Sequence, residues 1–301
     1  MPIDLEFAIG VLNGAVGDYL ARTGNGLATD LTLTCGGKPI GADAASLARA
    51  YPAATGKVVV LVHGLMNTEA VWAMPDGTDY GSRLAEDLGY TPLYVRYNTG
   101  RAIPENGAAL TTLLADVVRA WPVPVTDIVP LGYSMGGLVV RSACHLARVA
   151  GSPWLNHVSR AIYVGTPHRG APLERLGRVT TRVLATIPDP TTRLVGEIAD
   201  LRSRGVKDLG DAHPVPLLAG IRHYLVAGAL PEGARLALWF GDAMVPVASA
   251  TDGGCVDPAS VGLPPDHIRL VRGLSHVAIA HHPDVYTHVR AWCADEGPCP
   301  T

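Results

Sequence analysis

Charged residues are scarce in this chain: they make up 17% of its 301 residues and leave a formal net charge of −3. No run of basic residues occurs, which argues against a nucleic-acid partner, because such proteins present a clustered positive surface. No apolar run reaches the roughly 18 residues of a membrane-spanning helix, so we expect no transmembrane segment. Internal repeats and low-complexity segments are also lacking, and the composition is that of a globular protein.

The N-terminus lacks the features of a secretory signal, since Asp4 and Glu6 stand where a signal peptide carries Lys or Arg. The five cysteines are odd in number and scattered, which does not suggest a disulfide framework. Cys293 and Cys299 are close enough in sequence to bridge, and Cys255 could take part instead. We therefore expect a cytoplasmic protein.

Apolar residues make up 48% of the chain, enough for one sizeable core, so we predict a single domain over residues 1–301. From residue 57 onward short apolar runs alternate with helical stretches such as Asn106–Trp121 and Leu138–Val149. This pattern is typical of an α/β fold with a mostly parallel sheet covered by helices on both faces. The predicted strands are Lys57–Val62, Pro92–Tyr97, Asp127–Leu131, Arg160–Val164, Ile221–Ala227 and His267–Val271. The first 55 residues, with a strand-like patch at Leu31–Thr34, are interpreted as a peripheral lead-in.

One interval breaks the alternation, because about 55 residues separate the strand ending at Val164 from the one starting near Ile221. They include two amphipathic pieces, Leu173–Ile187 and Thr191–Ser203. A simple crossover needs far less chain, so we predict a helical cap insertion at about residues 168–215, over the carboxyl edge of the sheet. The alternative is an elaborated crossover with no gating role.

Residues 131–137 read Leu-Gly-Tyr-Ser-Met-Gly-Gly, a Gly-x-Ser-x-Gly core with Ser134 at its centre. A strand-like run precedes this core and a helix-like run follows it. A sharp turn from strand to helix needs small flanking residues, and it holds the serine hydroxyl at the carboxyl edge of the sheet, above a helix N-terminus. A simple glycine–serine turn is the alternative, because the motif alone is common by chance. The context favours Ser134 as a nucleophile.

A serine hydroxyl needs a base, usually histidine, that a buried carboxylate orients, and in this kind of fold the chain order is Ser, Asp or Glu, His. Asp242 is the candidate acid because it stands in a turn between two apolar patches, where a lone carboxylate would need a cationic partner. Asp252 and Asp257 compete with it, but they lie in a Gly- and Pro-rich stretch and are interpreted as solvated loop acids.

His276 is the candidate base because it follows the end of a predicted strand, where a loop can aim an imidazole at the serine. The remaining histidines of this region lie at the other end of that strand or within and beyond the next helical stretch: His267, His281, His282 and His288. A histidine cluster could suggest zinc, but no carboxylate or cysteine stands at ligand spacing. We therefore predict no metal site and no cofactor.

Two backbone N–H groups are needed to stabilise the oxyanion of the tetrahedral intermediate. Met135, directly after the nucleophile, supplies one, and Leu65 in the turn after the strand ending at Val62 is expected to supply the other, with Met66 as a reserve.

We expect these turns and the start of the segment Val164–Pro172 to line the substrate site through the following residues: His63, Gly64, Met66, Tyr133, Thr166, Pro167 and His168. His63 would also orient its turn, and Gly64 would let the backbone approach the substrate. The segment Val164–Pro172 lacks the Gly-Lys-Ser/Thr ending of a phosphate loop and is interpreted as a pocket wall and hinge.

Together these motifs resemble those of α/β-hydrolases, and more narrowly of the bacterial lipase and esterase group related to the GPI inositol-deacylase-like proteins. The resemblance covers about residues 57–290 and rests on these segments: Leu61–Leu65, Gly132–Gly137, Gly165–Gly170, Gly241–Asp242 with Val245–Val247, and Leu274–His276. It implies the α/β-hydrolase fold, with Ser134 as nucleophile, Asp242 and His276 as its partners, and Leu65 and Met135 as oxyanion donors.

We therefore expect a carboxylic ester hydrolase, of the carboxylesterase or lipase type, that works through a Ser-His-Asp triad and an acyl-enzyme. Its expected partner is a small-molecule ester with an apolar acyl or alcohol group, of short to medium acyl length. An acyltransferase or thioesterase with the same triad is one alternative, since hydrolysis and transfer differ in how the cap excludes water. A non-catalytic binding protein on the same fold is the other.

Overall fold

The structure, a computed structural model of the chain, describes residues 5–171, 203–210, 215–229, 245–252 and 263–295. Its strands form one eight-stranded sheet in the order β2-β1-β4-β3-β5-β6-β7-β8. From β3 to β8 all neighbouring strands pair in parallel, whereas β1 is antiparallel to both β4 and β2. The strands are β1 Thr32–Cys35, β2 Lys38–Ile40, β3 Lys57–Val62, β4 Thr91–Arg96, β5 Asp127–Tyr133, β6 Arg160–Val164, β7 Arg222–Ala229 and β8 Ile268–Arg272. The predicted mostly parallel sheet is confirmed.

Helices connect the parallel strands, as crossover connections require. In chain order they are α1 Leu5–Arg22, α2 Ala44–Ala50, α3 Tyr80–Leu88, α4 Ile103–Ala120, α5 Met135–Ala150, α6 Arg204–Asp208, α7 Val247–Ala250 and α8 Pro283–Ala294. Short 3-10 turns at Glu69–Trp72, Pro153–His157, Pro265–His267 and Ala278–Ala280 complete the described elements. None of the helices in the described ranges is long and apolar enough to cross a bilayer.

Strand β3 shows why the sheet is covered on both sides. Val58, Val60 and Val62 belong to one buried cluster, together with side chains of α4 and α5. Val59 and Leu61 point the other way, into a second cluster with side chains of α3 and α8. Because successive side chains of a strand face opposite sides, an uninterrupted apolar run fits a strand with a helical layer on each face. The predicted helices on both faces are confirmed.

The interpretation of the first 55 residues as a peripheral lead-in is wrong. Helix α1 buries Val11, Ala15 and Val16 against Met66, in the turn after β3. Strands β1 and β2 extend the main sheet beyond β4. The helix was hard to read from the sequence because its packing side contains glycines, which bring backbones together but give no apolar periodicity.

The C-terminal helix α8 is fixed to the amino ends of β6 and β7 by two buried arginines. Arg160 Nη1 donates to the backbone oxygens of Trp292, at 3.0 Å, and Cys293, at 2.9 Å. Arg222 Nη1 donates to Asp295 Oδ2 at 2.9 Å. Arg160 thus bonds carbonyl oxygens of the last helical turn, which have no N–H donor within the helix. The helix that follows the His276 loop is thereby anchored to the sheet.

The interval predicted as a cap lies largely outside the described residues, which include only 168–171, 203–210 and residue 215 of it. The cap therefore stays a prediction. Cys255 and Cys299 also lie outside the described residues. Cys293 is buried, and burial raises the pKa of its thiol to about 12. Its pairing with Cys255 or Cys299 stays a prediction.

Candidate active site

Strand β5 turns directly into helix α5, and Ser134 occupies the bend. Its backbone has φ 52° and ψ −124°, a left-handed conformation that a residue with a side chain adopts at a cost of about 1–3 kcal/mol. The Ser134 N–H donates to Val164 O of the neighbouring β6 at 2.8 Å, and the Ser134 carbonyl accepts from Gly137 N at 3.1 Å. Hydrogen bonds on both sides thus hold the strained residue at the carboxyl edge of the sheet.

The glycines around Ser134 are required by close backbone contacts. A Cβ on Gly132 would lie 2.5 Å from Gly137 Cα, and one on Gly136 would overlap the carbonyl oxygens of Val62 and His63. A Cβ on Gly137 would overlap the Thr166 side chain. Strand, helix and neighbouring turn can therefore approach this closely only without side chains at these positions.

His276 meets Ser134 at this bend, with its Nε2 atom 2.9 Å from Ser134 Oγ. Both side chains are buried, with exposed fractions of 7% for His276 and 5% for Ser134. The Tyr133 hydroxyl donates to the His276 carbonyl at 3.0 Å. The other side of the imidazole lies over Gly165, where a Cβ would be 3.1 Å from the His276 Cε1 atom. The histidine loop is thus fixed by residues at the ends of β5 and β6.

Burial sets the protonation of His276, lowering the pKa of the imidazole from its ordinary value of 6.5 to about 4. The ring is therefore neutral at pH 7 and can accept a proton from the serine hydroxyl. Asp242, the residue expected to orient this histidine, lies outside the described residues.

The other acids and histidines considered in the sequence contact groups other than Ser134 and His276 where they are described. Asp252 pairs with Arg169, at 3.1 Å from Oδ1 to Nε, lies 4.0 Å from the Arg141 guanidinium, and has a side chain that is 21% exposed. The ring nitrogens of His267, His281 and His282 contact His223 O, Val71 O and Asp284 N respectively, and His288 stacks on Trp292. Asp257 lies outside the described residues.

The turn after β3, residues 63–66, lies directly against the nucleophile. A Cβ on Gly64 would be 2.9 Å from Ser134 Cβ, which is why a glycine is needed there. Leu65, the expected oxyanion donor, is partly exposed beside it. Met135 begins α5, and the first N–H groups of a helix have no acceptor within the helix. The Met66 N–H, the reserve donor, instead donates to Thr99 Oγ1 at 3.1 Å.

The expected lining residues are all buried. His63 and Thr166 are 0% exposed and His168 is 2% exposed, and Gly64, Met66, Tyr133 and Pro167 are also buried. The His63 ring stacks on Tyr97, with centroids 4.5 Å apart. These side chains support the loops around Ser134 in the structure, while direct substrate contact by them stays a prediction.

Sequence reasoning missed several residues that shape this site. Thr99 and Tyr97 both bond the turn after β3, and Gly165 makes room for the imidazole. Arg141 on α5 donates to His168 Nδ1 at 2.6 Å and to the carbonyl oxygen of Val215. It thereby joins the segment after β6 to the segment before β7. No local motif marks the other residues. Gly165 directly follows a predicted strand, a position typical of a turn glycine, and its φ is +61°.

No protein-family model matches the sequence, and no curated protein matches it. Among solved structures, the chain is similar to an esterase from Thermogutta terrifontis at 17% identity and a TM-score of 0.48, with 79% of this chain and 90% of that chain covered. The thioesterase RedJ of the prodiginine pathway in Streptomyces coelicolor gives 14% identity and 0.48, with 80% and 87% covered. An esterase from Pyrococcus furiosus gives 13% and 0.47, with 80% and 79% covered.

The fold itself follows from the chain's own geometry. A mostly parallel sheet in which a strand turns sharply into a helix, at a serine with positive φ, is the arrangement of the α/β-hydrolase fold. The narrower resemblance to the GPI inositol-deacylase-like group stays a prediction.

Proposed function

We propose that this protein is a serine hydrolase that cleaves carboxylic esters. The observation that supports this most is the 2.9 Å contact between His276 Nε2 and Ser134 Oγ, made by two buried side chains at a strained strand-to-helix bend. An imidazole at this distance is within reach of the hydroxyl proton. A buried serine–histidine pair at the edge of a parallel sheet, next to a helix N-terminus, is what acyl transfer through a covalent intermediate requires.

In the proposed mechanism Ser134 Oγ attacks the ester carbonyl while His276 Nε2 takes its proton. The resulting oxyanion accepts hydrogen bonds from the N–H groups of Leu65 and Met135. His276 then gives its proton to the leaving alcohol, and an acyl-enzyme on Ser134 remains. Water, activated by the same imidazole, releases the acid. In this proposal Asp242 stabilises the imidazolium and fixes the ring tautomer.

The substrate class is tested by a panel of p-nitrophenyl esters from acetyl to palmitoyl, together with a matched acyl thioester. We expect the highest kcat/KM on short to medium acyl chains, because an apolar acyl or alcohol group is the proposed ligand of this site. A maximum at long acyl chains would favour a lipase, and faster turnover of the thioester would favour a thioesterase. Labelling of Ser134 by a fluorophosphonate, located by peptide mass spectrometry, is the accompanying test of the nucleophile.

The pH dependence tests the roles of His276 and Asp242. A general base works only when it is neutral, so activity is present above the pKa of His276 and is lost as pH falls through it. Because burial lowers this pKa towards about 4, we expect the acid limb of kcat/KM below pH 6.5. A negative Asp242 would stabilise the charged imidazolium and raise the pKa. Asp242→Asn should therefore move the limb to lower pH and reduce kcat by about 10⁴-fold.

Asp252→Asn is the matched control, since Asp252 pairs with Arg169 and is not bonded to His276 in the described contacts. We expect its acid limb to coincide with that of the unmodified protein. The proposed role of Asp242 would be contradicted if Asp252→Asn lost activity as severely as Asp242→Asn, or if the limb of Asp242→Asn lay at higher pH.

A further inference from the structure

The segment that leaves β4, residues 97–100, contacts both ends of the turn that carries the proposed oxyanion donor. At one end the Tyr97 hydroxyl donates to the His63 carbonyl at 2.7 Å. At the other end Thr99 Oγ1 accepts from the Met66 N–H at 3.1 Å, and both groups are buried. Gly64 and Leu65 lie between these two bonds. The direction of the Leu65 N–H is therefore set by what holds His63 and Met66.

The Thr99 bond matters because Met66 is held in a conformation that it would not adopt by itself. Its φ is +59°, in the left-handed region that is unfavourable for a residue with a Cβ. In this conformation the buried Met66 N–H has the Thr99 hydroxyl as its acceptor. Without it, a buried donor would be left unpaired and the turn would relax.

Thr99 is itself fixed and cannot follow a shift of the turn. It is 0% exposed, and a Cβ on Gly205 of α6 would overlap the Thr99 carbonyl oxygen. Gly205 N donates to Gly100 O at 3.0 Å. Gly14 of α1 also lies so close to Met66 that a Cβ there would be 3.0 Å from Met66 Cα. Met66 is thus held between α1 and Thr99.

We infer that Thr99 is a positioning residue for the oxyanion site, acting through the Met66 N–H on the orientation of the neighbouring Leu65 N–H. This inference rests on the proposed function. Thr99 is buried away from solvent and does not itself touch the substrate. Loss of the Thr99 hydroxyl should therefore reduce the stabilisation of the transition state more than the affinity for substrate, since the oxyanion forms only during the reaction.

The test compares Thr99→Val, which keeps the shape but removes the acceptor, with Thr99→Ser, which keeps the acceptor. We expect Thr99→Val to lower kcat on a p-nitrophenyl ester by about 10- to 100-fold with KM changed by less than about threefold, because ground-state contacts are kept. Thr99→Ser should restore kcat to within about threefold of the unmodified protein. Affinity for a trifluoromethyl ketone, which forms a tetrahedral oxyanion on serine, should fall in parallel with kcat.

Thr91→Val is the matched control. Thr91 Oγ1 likewise accepts a backbone N–H, that of Thr55 at 2.9 Å, but at the amino end of β4, far along the strand from the turn. It should lower the melting temperature and leave kcat unchanged. Equal losses of kcat in Thr91→Val and Thr99→Val, or normal kcat in Thr99→Val, would overturn the inference. Failure of the proposed function would appear in the unmodified protein, which would then neither turn over esters nor become labelled at Ser134. Failure of the inference alone would appear only in the variants, so the two outcomes can be distinguished.

Discussion

Replacing Ser134 by alanine is expected to lower kcat on p-nitrophenyl esters by about 10⁴- to 10⁶-fold, because no other group can form the acyl-enzyme. His276→Ala should cost about as much, since the hydroxyl is a poor nucleophile without its base. The two residues act as a unit through their 2.9 Å contact. The double variant should therefore be no slower than the single variants, instead of showing the product of both losses.

Steady-state turnover and fluorophosphonate labelling measure these effects on the same preparations. Ser142→Ala is the control, because Ser142 is also a buried serine on α5 but lies two turns beyond the bend. Its kcat should match that of the unmodified protein, and its labelled peptide should still contain Ser134. Turnover by Ser134→Ala at the normal rate would show that the nucleophile is elsewhere.

The variant Gly136→Ala is expected to be strongly destabilised. The added Cβ would overlap the carbonyl oxygens of Val62 and His63, which are backbone atoms at the end of β3. They cannot move aside, because Val62 is paired with Gly132 of β5 in the middle of the sheet. Forced overpacking against backbone should destabilise the protein by about 3 kcal/mol or more.

Urea unfolding followed by circular dichroism tests this expectation. Gly26→Ala is the matched control, because a Cβ at Gly26 meets nothing within 4 Å, and its free energy of unfolding should stay within about 0.5 kcal/mol of that of the unmodified protein. If Gly136→Ala unfolds at the same urea concentration as Gly26→Ala, the close packing of β3 against the bend is not as described.

The parallel part of the fold could be predicted from sequence because its signals are local. The predicted limits of β3 and β6 agree with the structure, and those of β4, β5, β7 and β8 differ by only one or two residues. Runs such as Lys57–Val62 are apolar on both faces and short, which is typical of buried strands. The bend at Ser134 is likewise marked by its glycines, and the structure does bring His276 to it. The catalytic roles of these residues stay predictions.

The residues that hold the loops of the site in place could not be predicted, because their roles depend on contacts between distant parts of the chain. Thr99 follows β4 without any motif, and its importance arises from the conformation of Met66, thirty-three residues earlier. The role of Arg141 depends in the same way on His168 and Val215. Hydrogen bonds of this kind are set by tertiary packing, on which composition and periodicity carry no information.

Helix α1 packs against Met66, in the turn that carries the proposed oxyanion donor. Its backbone approaches Met66 of the turn after β3 at Gly14, and its Gly14 and Ala15 carbonyls accept hydrogen bonds from Ser203. Fraying of this helix on mild warming would free Met66 while the sheet stays intact, since α1 packs through a small apolar cluster of its own, separate from the two clusters that cover the sheet. Thermal inactivation would then precede global melting, and an activity half-life would report the docking of residues 5–22 and not the strength of the core.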